Sequence, residues 1–325
     1  MAKENIYPYA VAKIRVFEKY LLTKQNFIQM AEAKSIDECI RILSEAGYNN
    51  QNTFDINEFE NVLSLELKKV YDLMKELVPE ENFVSVFLCK NDYHNAKVIV
   101  KSEISGRDGD KYIIQGGLIP VDTIKKAVFD KNYSELPEIL GKAIEEAFEI
   151  YSKTQNGQYI DMVIDKACFK YMSDVAKESK NTFLINYVEK LCDITNLKSF
   201  VRVLRVKKNF ENTFEKAFVK GGKLSLDLFV KAANSENPSS YFKGSDYSSI
   251  CKLMDSNFTE FEKTCDNYIM DYVKSAKYIA LTLEPLIAYL HAKETEIKTV
   301  RIIMTSKIND IDSDTIKERV REAYV

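Results

Sequence analysis

The stretch Asp193-Ile-Thr-Asn-Leu-Lys-Ser-Phe-Val-Arg-Val-Leu204 has a counterpart on either side of it in the chain. Its first six residues align with Asp92-Tyr-His-Asn-Ala-Lys97 at an offset of 101 residues and with Lys293-Glu-Thr-Glu-Ile-Lys298 at an offset of 100. The closing lysines of the three segments therefore occupy equivalent positions. Self-similarity at a fixed period indicates an internal repeat, here of about 100 residues.

Apolar residues around the repeated lysines follow helical spacing, because they recur at intervals of three and four residues. The apolar positions are Ala96, Ile99 and Val100 in the first copy, Leu197, Phe200, Val201 and Leu204 in the second, and Ile297, Val300 and Met304 in the third. Arg301 stands where the other two copies have valine. The pattern predicts one amphipathic helix per copy, with a polar exception in the last.

Two further matches support an internal repeat, the first at an offset of 101 residues and the second at an offset of 105. The pairs Phe59-Glu60, Ile160-Asp161 and Phe261-Glu262 are separated by 101 and 101 residues. The segment Gly116-Gly-Leu-Ile-Pro-Val-Asp-Thr-Ile-Lys-Lys-Ala127 matches Gly221-Gly-Lys-Leu-Ser-Leu-Asp-Leu-Phe-Val-Lys-Ala232 as G-G-x-[LI]-x-x-D-x-[IF]-x-K-A. Agreement in several parts of the unit makes a chance repeat a poor explanation.

The paired glycines have two interpretations. A phosphate-binding loop needs Gly-x-x-x-x-Gly-Lys-[Ser/Thr] after a strand, and neither glycine pair continues in that way. The alternative is a flexible connection that ends one unit and starts a new helix. Asp122 and Asp227 would then lie in the first helical turn, where a carboxylate favours the helix dipole. We expect the helix-breaking connection.

These matches divide the chain at about 7–107, 108–207 and 208–325, and each part is expected to hold several helices of about 12 to 20 residues. If successive units are related by about 120°, three of them close into a ring around an axial cavity. A small rotation per unit gives an open solenoid instead. The repeat alone leaves both arrangements open.

Composition favours an all-α fold. Only 10 Gly and 6 Pro occur in 325 residues, while 29% of residues are charged, so the chain lacks the turn residues that strand-rich folds need. The formal net charge of −3 argues against nucleic acid as a partner, since such binding needs a cationic surface. The six cysteines include no C-x-x-C pair and are expected to be buried thiols.

No membrane-spanning segment is expected. The chain begins Met-Ala-Lys-Glu-Asn, without the apolar region of a signal peptide, and its longest apolar stretch, from Tyr278 to Leu290, is interrupted by Glu284 and Pro285. These features predict a cytosolic chain.

The stretch from Lys198 to Lys223 is basic, although the chain as a whole has a negative net charge. It is interpreted either as a solvated helix end with its loop or as a contact for an acidic protein surface. Its basic residues are Lys198, Arg202, Arg205, Lys207, Lys208, Lys216, Lys220 and Lys223, set against Glu211 and Glu215.

Patterns of known catalytic or metal chemistry are missing from the sequence. His94 and His291 lie just before the repeated lysines, and neither has a second histidine or a carboxylate four residues on, so partly exposed positions at helix ends are expected for both. Asp108-Gly-Asp110 lacks the further ligands of a calcium loop and is expected to be a turn. We expect no catalytic residues, no metal and no cofactor.

Five segments stand in a distinctive order along the chain: Tyr7-Pro-Tyr-Ala-Val-Ala-Lys-Ile-Arg15 with Leu21-Leu22 following, Asp92-Tyr-His-Asn-Ala-Lys97, Gly116-Gly-Leu-Ile-Pro120, Asn196-Leu-Lys-Ser-Phe200 and Glu294-Thr-Glu-Ile-Lys-Thr-Val-Arg-Ile-Ile303. Together they resemble the C subunit of archaeal and bacterial V-type ATPases, a family related to the d subunit of eukaryotic V-ATPases, and the resemblance covers essentially the whole chain.

The resemblance implies an all-helical funnel of three similar domains in a pseudo-threefold arrangement. It implies a non-catalytic adaptor of the central stalk, whose mouth receives the shaft subunits and whose opposite face rests on the proteolipid rotor ring. Such an adaptor is peripheral, at the cytoplasmic face of the membrane, and serves ATP-linked proton or sodium-ion transport. ATP hydrolysis then takes place on other subunits, and no nucleic acid or small-molecule substrate is expected.

We further expect the repeated polar positions to contact a partner or to lie between domains. These positions are Asn95, Lys97, Asn196, Lys198, Arg202, Arg205, Glu296, Lys298 and Arg301. Two other functions stay open from the residues alone: a free-standing helical scaffold that binds other proteins in a groove, and an enzyme with its site between repeat units. The enzyme would need a deep pocket holding groups with shifted pKa values.

Overall fold

A computed structural model describes residues 7–48, 58–78, 82–206, 210–255 and 257–325. Within these ranges the secondary structure is helical and no strand occurs, which confirms the all-α prediction. The α-helices are α1 (Tyr7–Phe17), α2 (Lys24–Glu32), α3 (Ile36–Glu45), α4 (Phe59–Leu77), α5 (Ser85–Ser105), α6 (Val121–Asp130), α7 (Glu138–Thr154), α8 (Gly157–Ser179), α9 (Thr182–Val206), α10 (Phe210–Ala217), α11 (Leu226–Ala233), α12 (Ser248–Cys251), α13 (Phe258–Lys274), α14 (Glu284–Ile308) and α15 (Ser313–Arg319).

Short polar side chains start several of these helices. Thr23 accepts the N–H of Asn26 in a capping box at the start of α2, and Ser225 accepts the N–H of Leu228 at the start of α11. Such caps satisfy N–H groups that have no partner within the helix. Asp122 and Asp227 lie in the first turns of α6 and α11, which confirms the prediction that new helices start after the paired glycines.

The chain folds into two compact units. One comprises residues 1–81 and 249–325, and the other comprises residues 82–248. The three-part division predicted from the repeat, at 7–107, 108–207 and 208–325, stays a prediction.

In the unit formed by both ends of the chain, α14 packs against α1, α2, α3, α4, α13 and α15. Its Val300, Ile303 and Met304 are buried beside Phe27 of α2 and Leu43 of α3. The predicted apolar stripe on α14 is buried, but the prediction that this helix is amphipathic is wrong. Buried residues occur all around α14 because other helices surround it.

In the middle unit, α8 packs against α5, α7 and α9. A cluster of phenylalanine rings fills the core near the end of α9, with ring centroids 5.1 to 6.0 Å apart. The rings belong to Phe200, Phe214, Phe218, Phe229 and Phe242. Edge-to-face and tilted pairs of this kind add about 0.5–1.5 kcal/mol each beyond the burial of their surface.

Three smaller expectations also have an outcome. All six cysteines are buried and free, as predicted. Asp108 accepts the N–H of Asp110 at 2.9 Å, and a short 3₁₀ turn follows over Asp110–Tyr112, so the prediction of a turn is confirmed. None of the described helices combines the length and apolar character needed to cross a membrane.

The expected placement of the histidines at helix ends is wrong. α5 begins at Ser85 and α14 begins at Glu284, so His94 and His291 lie well inside helices. The helices extend back before the repeated motif because apolar residues such as Phe87 and Leu88 continue the buried face toward the N-terminus.

Candidate functional site

The first of the repeated motifs holds the loop that leads into α6. The carboxylate of Asp92 accepts the backbone N–H groups of Leu118 and Ile119 at 2.9 and 3.1 Å. The side-chain amide of Asn95 accepts the N–H of Ile114 at 2.9 Å and donates to the carbonyl of the same residue at 2.8 Å. Both side chains are buried on α5, so four hydrogen bonds fix the loop against that helix. We call such a set a turn anchor.

Close approach of backbone to carboxylate makes glycine necessary in this anchor. A Cβ atom on Gly117 would lie 2.0 Å from Oδ1 of Asp92, far inside van der Waals contact. Burial raises the pKa of Asp92 to about 6, and the hydrogen bonds from Leu118 and Ile119 act in the opposite direction. The glycine pair therefore serves the anchor as well as breaking the helix.

The second motif builds the same anchor on α9. Asp193 accepts the N–H groups of Lys223 and Leu224 at 2.9 and 3.0 Å. Asn196 accepts the N–H of Val219 at 2.9 Å and donates to its carbonyl at 2.8 Å. The match in atoms and distances shows that the sequence repeat corresponds to a repeated local structure in the middle unit.

Two details complete the second anchor. A Cβ on Gly222 would lie 2.0 Å from Oδ1 of Asp193, as one on Gly117 would from Asp92 in the first. The hydroxyl of Tyr247 also donates to Asp193 at 2.8 Å. The carboxylate thus has three donors, which compensate for its complete removal from solvent.

The third motif holds a turn with different chemistry. On α14, Lys293 and Glu296 stand in place of the aspartate and asparagine, and both are buried. Glu296 accepts the N–H of Leu22 at 2.6 Å and the hydroxyl proton of Tyr48 at 2.6 Å. The ammonium group of Lys293 lies 2.8 Å from Glu296 and 3.4 Å from Glu66. Glu296, one of the predicted contact positions, is therefore part of a buried charged network.

The three anchors share a position relative to the following helix. The N–H groups of Leu22, Ile119 and Leu224 belong to the residues directly before the N-caps of α2, α6 and α11. Each acidic side chain therefore fixes the entry of the chain into a helix. The third anchor differs in that its helix and its turn come from opposite ends of the sequence.

The repeated lysines Lys97 and Lys298 each form an ion pair with a neighbouring helix. Lys97 of α5 lies 2.7 Å from Asp165 of α8, and Lys298 of α14 lies 2.9 Å from Asp266 of α13. The two aspartates are 101 residues apart, as the repeat requires. Lys198 is half-buried on α9. Within the described structure, Lys97 and Lys298 thus tie neighbouring helices together.

A second set of ion pairs explains Arg301. Its guanidinium group lies 2.8 Å from Glu60 of α4, and Lys101 of α5 lies 2.6 Å from Asp161 of α8. Glu60 and Asp161 are the equivalent acidic positions of the repeat. Sequence reasoning missed Lys101, although a base four residues after Lys97 was the available signal.

The remaining predicted positions belong to the basic stretch. Arg202 and Arg205 are exposed in the last turns of α9, while Lys207 and Lys208 lie outside the described residues. Farther on, the ammonium group of Lys216 lies 4.2 Å from the ring centroid of Tyr159, a cation–π contact. The stretch therefore continues from one helix into α10 rather than forming a single helical face.

A groove of about 500 Å³ lies between the end of α5 and α6. Its charged residues include Glu103, Arg107, Asp110, Lys125 and Asp130. The hydrogen bond and ion pair with Asp110 raise the pKa of Lys125, which keeps that group charged and away from the range of a general base. Among the described residues, no cluster of three or more histidine, cysteine or acidic side chains is arranged to hold a metal ion.

Comparison with known proteins gives consistent matches along the chain. Residues 10–319 match the family model described as ATP synthase (C/AC39) subunit. The chain is 27% identical over 319 residues to the C subunit of the V-type sodium ATPase of Enterococcus hirae, covering 96% of this chain and 97% of the relative. It is 24% identical over 341 residues to the C subunit of the A-type ATP synthase of Pyrococcus abyssi, covering 98% and 91%. Since the family match extends over all three turn anchors, this chain belongs to the ATP synthase (C/AC39) subunit family.

Proposed function

We propose that this chain is the non-catalytic adaptor of the central stalk in a rotary V/A-type ATPase or ATP synthase, a socket that couples the rotating shaft to the membrane rotor ring. The observation that carries this proposal is the family match over residues 10–319. The coverage of more than 90% of both chains in the matches to the Enterococcus and Pyrococcus proteins supports it. The complex would couple ATP synthesis or hydrolysis to the transport of protons or sodium ions.

The turn anchors suit a part that must transmit torque. A socket needs a scaffold that deforms little under load, and buried, fully hydrogen-bonded polar groups fix backbone segments in one arrangement. Asp92, Asp193 and Glu296 each fix the entry of the chain into a helix. Under this proposal the anchors keep the helices in register while the shaft turns.

The third anchor supports a closed arrangement of three similar repeats. Glu296 belongs to the last repeat and Leu22 to the first, and they meet 274 residues apart in the sequence. In an open solenoid, each repeat contacts only its neighbours along the chain. A cycle of three repeats brings the last next to the first. We therefore favour the funnel that the family resemblance implies over a solenoid.

Under the same proposal, the chain sits peripherally at the cytoplasmic face of the membrane, with the shaft subunits and the proteolipid ring as its partners. The polar positions Lys97, Lys198 and Lys298 would line the wall that faces the shaft or the seams between repeats. A largely polar contact of this kind allows release of the partner without unfolding either protein.

The experiment that tests the function is a titration of the purified chain against the reconstituted central shaft and, separately, against the detergent-solubilised rotor ring, at two salt concentrations. The proposal predicts one-to-one binding to the shaft that weakens at high salt, and binding to the ring. Absence of binding to both partners at both salt concentrations would overturn the proposal in favour of a free-standing helical scaffold.

A further inference from the structure

The outward face of α1 carries an apolar and aromatic stripe. Tyr9 and Val16 are 70% and 53% exposed, and they lie two turns apart on the same side of the helix. Tyr20, 59% exposed, follows in the short 3₁₀ turn after α1. Together with Lys13, these residues occupy positions 9, 13, 16 and 20, so that successive positions are four, three and four residues apart. Contact residues between two paired helices have the same spacing.

A second exposed element lies beside this stripe. The loop 278–282, Tyr-Ile-Ala-Leu-Thr, contains no charged residue, and Tyr278 is 92% exposed. Leu281 is also exposed and has a φ of 69°, a conformation that is costly for a bulky aliphatic residue. Solvation alone does not favour an exposed, uncharged loop that contains a strained leucine.

Arg15 joins the two elements. Its Nη2 donates to the carbonyls of Ala276, Lys277 and Ile279 at 2.9, 2.9 and 3.1 Å, and its Nη1 donates to Glu18 at 2.7 Å. The guanidinium of α1 therefore holds the chain that leads into the exposed loop. A surface fixed in this way loses little conformational entropy when a partner binds. We call the stripe and the loop together the α1 surface.

The charge around the α1 surface is positive. The carboxylate of Glu18 is engaged by Arg15, and that of Glu76 is engaged by Lys13. Near this surface, Lys19, Lys274 and Lys277 form no ion pair with any other described residue, and the ammonium group of Lys277 lies 4.7 Å from the ring centroid of Tyr324. The pKa of Lys277 is lowered, first by burial and then by the charge of Lys274, so the two ammonium groups repel each other. A partner that brings carboxylates would relieve this repulsion.

We propose that the α1 surface binds an amphipathic α-helix of the central shaft, with the apolar side of that helix against Tyr9, Val16 and Tyr20 and its carboxylates near Lys19, Lys274 and Lys277. The spacing of the contact residues favours a helix over a lipid surface, and the excess of positive charge selects an acidic one. This inference rests on the function proposed above and names a surface for one of its partners.

The test compares shaft binding by the wild-type chain and by Val16→Asp. Since Val16 is exposed, the substitution leaves the core intact, and thermal unfolding checks this directly. The expected result is an affinity for the shaft about tenfold or more weaker, the size typical for an interface anchor. Phe129→Asp is the matched control, because Phe129 is a 75% exposed apolar residue on α6 in the other unit. Its affinity is expected to stay within about twofold of wild type.

A second variant tests the charge independently. Lys19→Glu combined with Lys274→Glu is expected to weaken shaft binding at low salt and to reduce the salt dependence of the affinity. A photo-crosslinker at position 16 should join the chain to a helical segment of a shaft subunit.

The possible results separate the surface from the function. A wild-type chain that does not bind the shaft contradicts the proposed function itself. Wild-type binding with equal affinity for Val16→Asp, or an equal loss for Phe129→Asp, overturns the α1 surface alone. Crosslinking only to residues 1–6 of the same chain overturns it as well. If Val16→Asp abolishes binding to vesicles of phosphatidylglycerol and phosphatidylcholine but leaves shaft binding unchanged, the α1 surface binds lipid and the proposal of a shaft helix is overturned.

Discussion

Glu296 accepts the backbone N–H of Leu22 at 2.6 Å, although the two residues are 274 positions apart in the sequence. The same carboxylate is paired with Lys293 at 2.8 Å, and both side chains are almost completely buried. The first two anchors hold their turns with an aspartate and a neutral amide, whereas this one uses an ion pair. The contact between the two ends of the chain therefore depends on a buried charge that must keep its partners.

We predict that Glu296→Ala destabilises the unit formed by residues 1–81 and 249–325 by about 3–5 kcal/mol, because it leaves the ammonium group of Lys293 buried and without its nearest counter-ion. Urea unfolding combined with hydrogen exchange of the Leu22 amide measures the effect. Lys298→Ala is the control on the same helix. The Lys298 side chain is half exposed, and Asp266 keeps its ion pair with Arg321, so a loss below about 1 kcal/mol is expected. Similar losses for the two variants would contradict the assignment of Glu296 to the anchor.

The paired glycines give a second prediction. Gly117→Ala and Gly222→Ala each place a Cβ about 2.0 Å from an aspartate oxygen of an anchor, so the turn or the carboxylate must move. We expect each variant to destabilise the middle unit by about 1–3 kcal/mol, the typical cost of overpacking. Gly157→Ala at the start of α8 is the matched control, because its Cβ would meet nothing within 4 Å. Thermal unfolding should show no loss for this control, and a comparable loss would mean that the anchors are not the cause.

The turn anchors combine features that the sequence predicts with contacts that it does not. The helical spacing and the helix-breaking role of the glycine pairs are local patterns, and the sequence was sufficient for them. The hydrogen bonds of Asp92 to residues 118 and 119 were not predicted, because the packing of α5 against the following turn is tertiary. The contact of Glu296 with Leu22 could not be predicted from the sequence either, since no local rule relates residues so far apart in the chain.

The candidate contact positions show the same limit. Asn95, Asn196 and Glu296 attracted attention because polar residues recur at equivalent places, and the structure shows that all three are buried and hydrogen-bonded within the chain. Recurrence alone does not separate a polar group that holds the fold from one that meets a partner. Lys101 was missed for a related reason: its spacing of four residues from Lys97 indicates a shared helix face, but its partner Asp161 on α8 is known only from the tertiary structure.

The pKa of Asp92 leads to a third prediction. Burial raises it to about 6 from the usual 3.8, so the folded protein binds more protons than the unfolded chain between these values. The contribution of this group to the free energy of unfolding therefore falls as the pH rises from about 4 to about 6. Asp92→Asn removes this dependence and also loses one acceptor, which costs about 1–3 kcal/mol at pH 7.

The check is the difference in stability between wild type and Asp92→Asn at pH 7 and at pH 5, because other carboxylates titrate equally in both proteins. The advantage of the wild type should be larger at pH 5. An advantage that shrinks on acidification would show instead that the folded state favours the ionised carboxylate.

The repeated lysines give the last prediction, which separates a wall facing the shaft from seams within the chain. Replacing Lys97, Lys198 and Lys298 together with glutamate should weaken shaft binding at low salt by about tenfold or more if they face the shaft, because like charges would then oppose its acidic surface. The control replaces Lys142, Lys153 and Lys170, three exposed helix lysines with intrahelical partners, and changes the net charge by the same amount. Since Lys97 and Lys298 also pair with Asp165 and Asp266, a moderate loss of stability is expected in either case. Unchanged shaft affinity and assembly, with reduced stability only, would rule out the wall and leave these lysines as ties between helices.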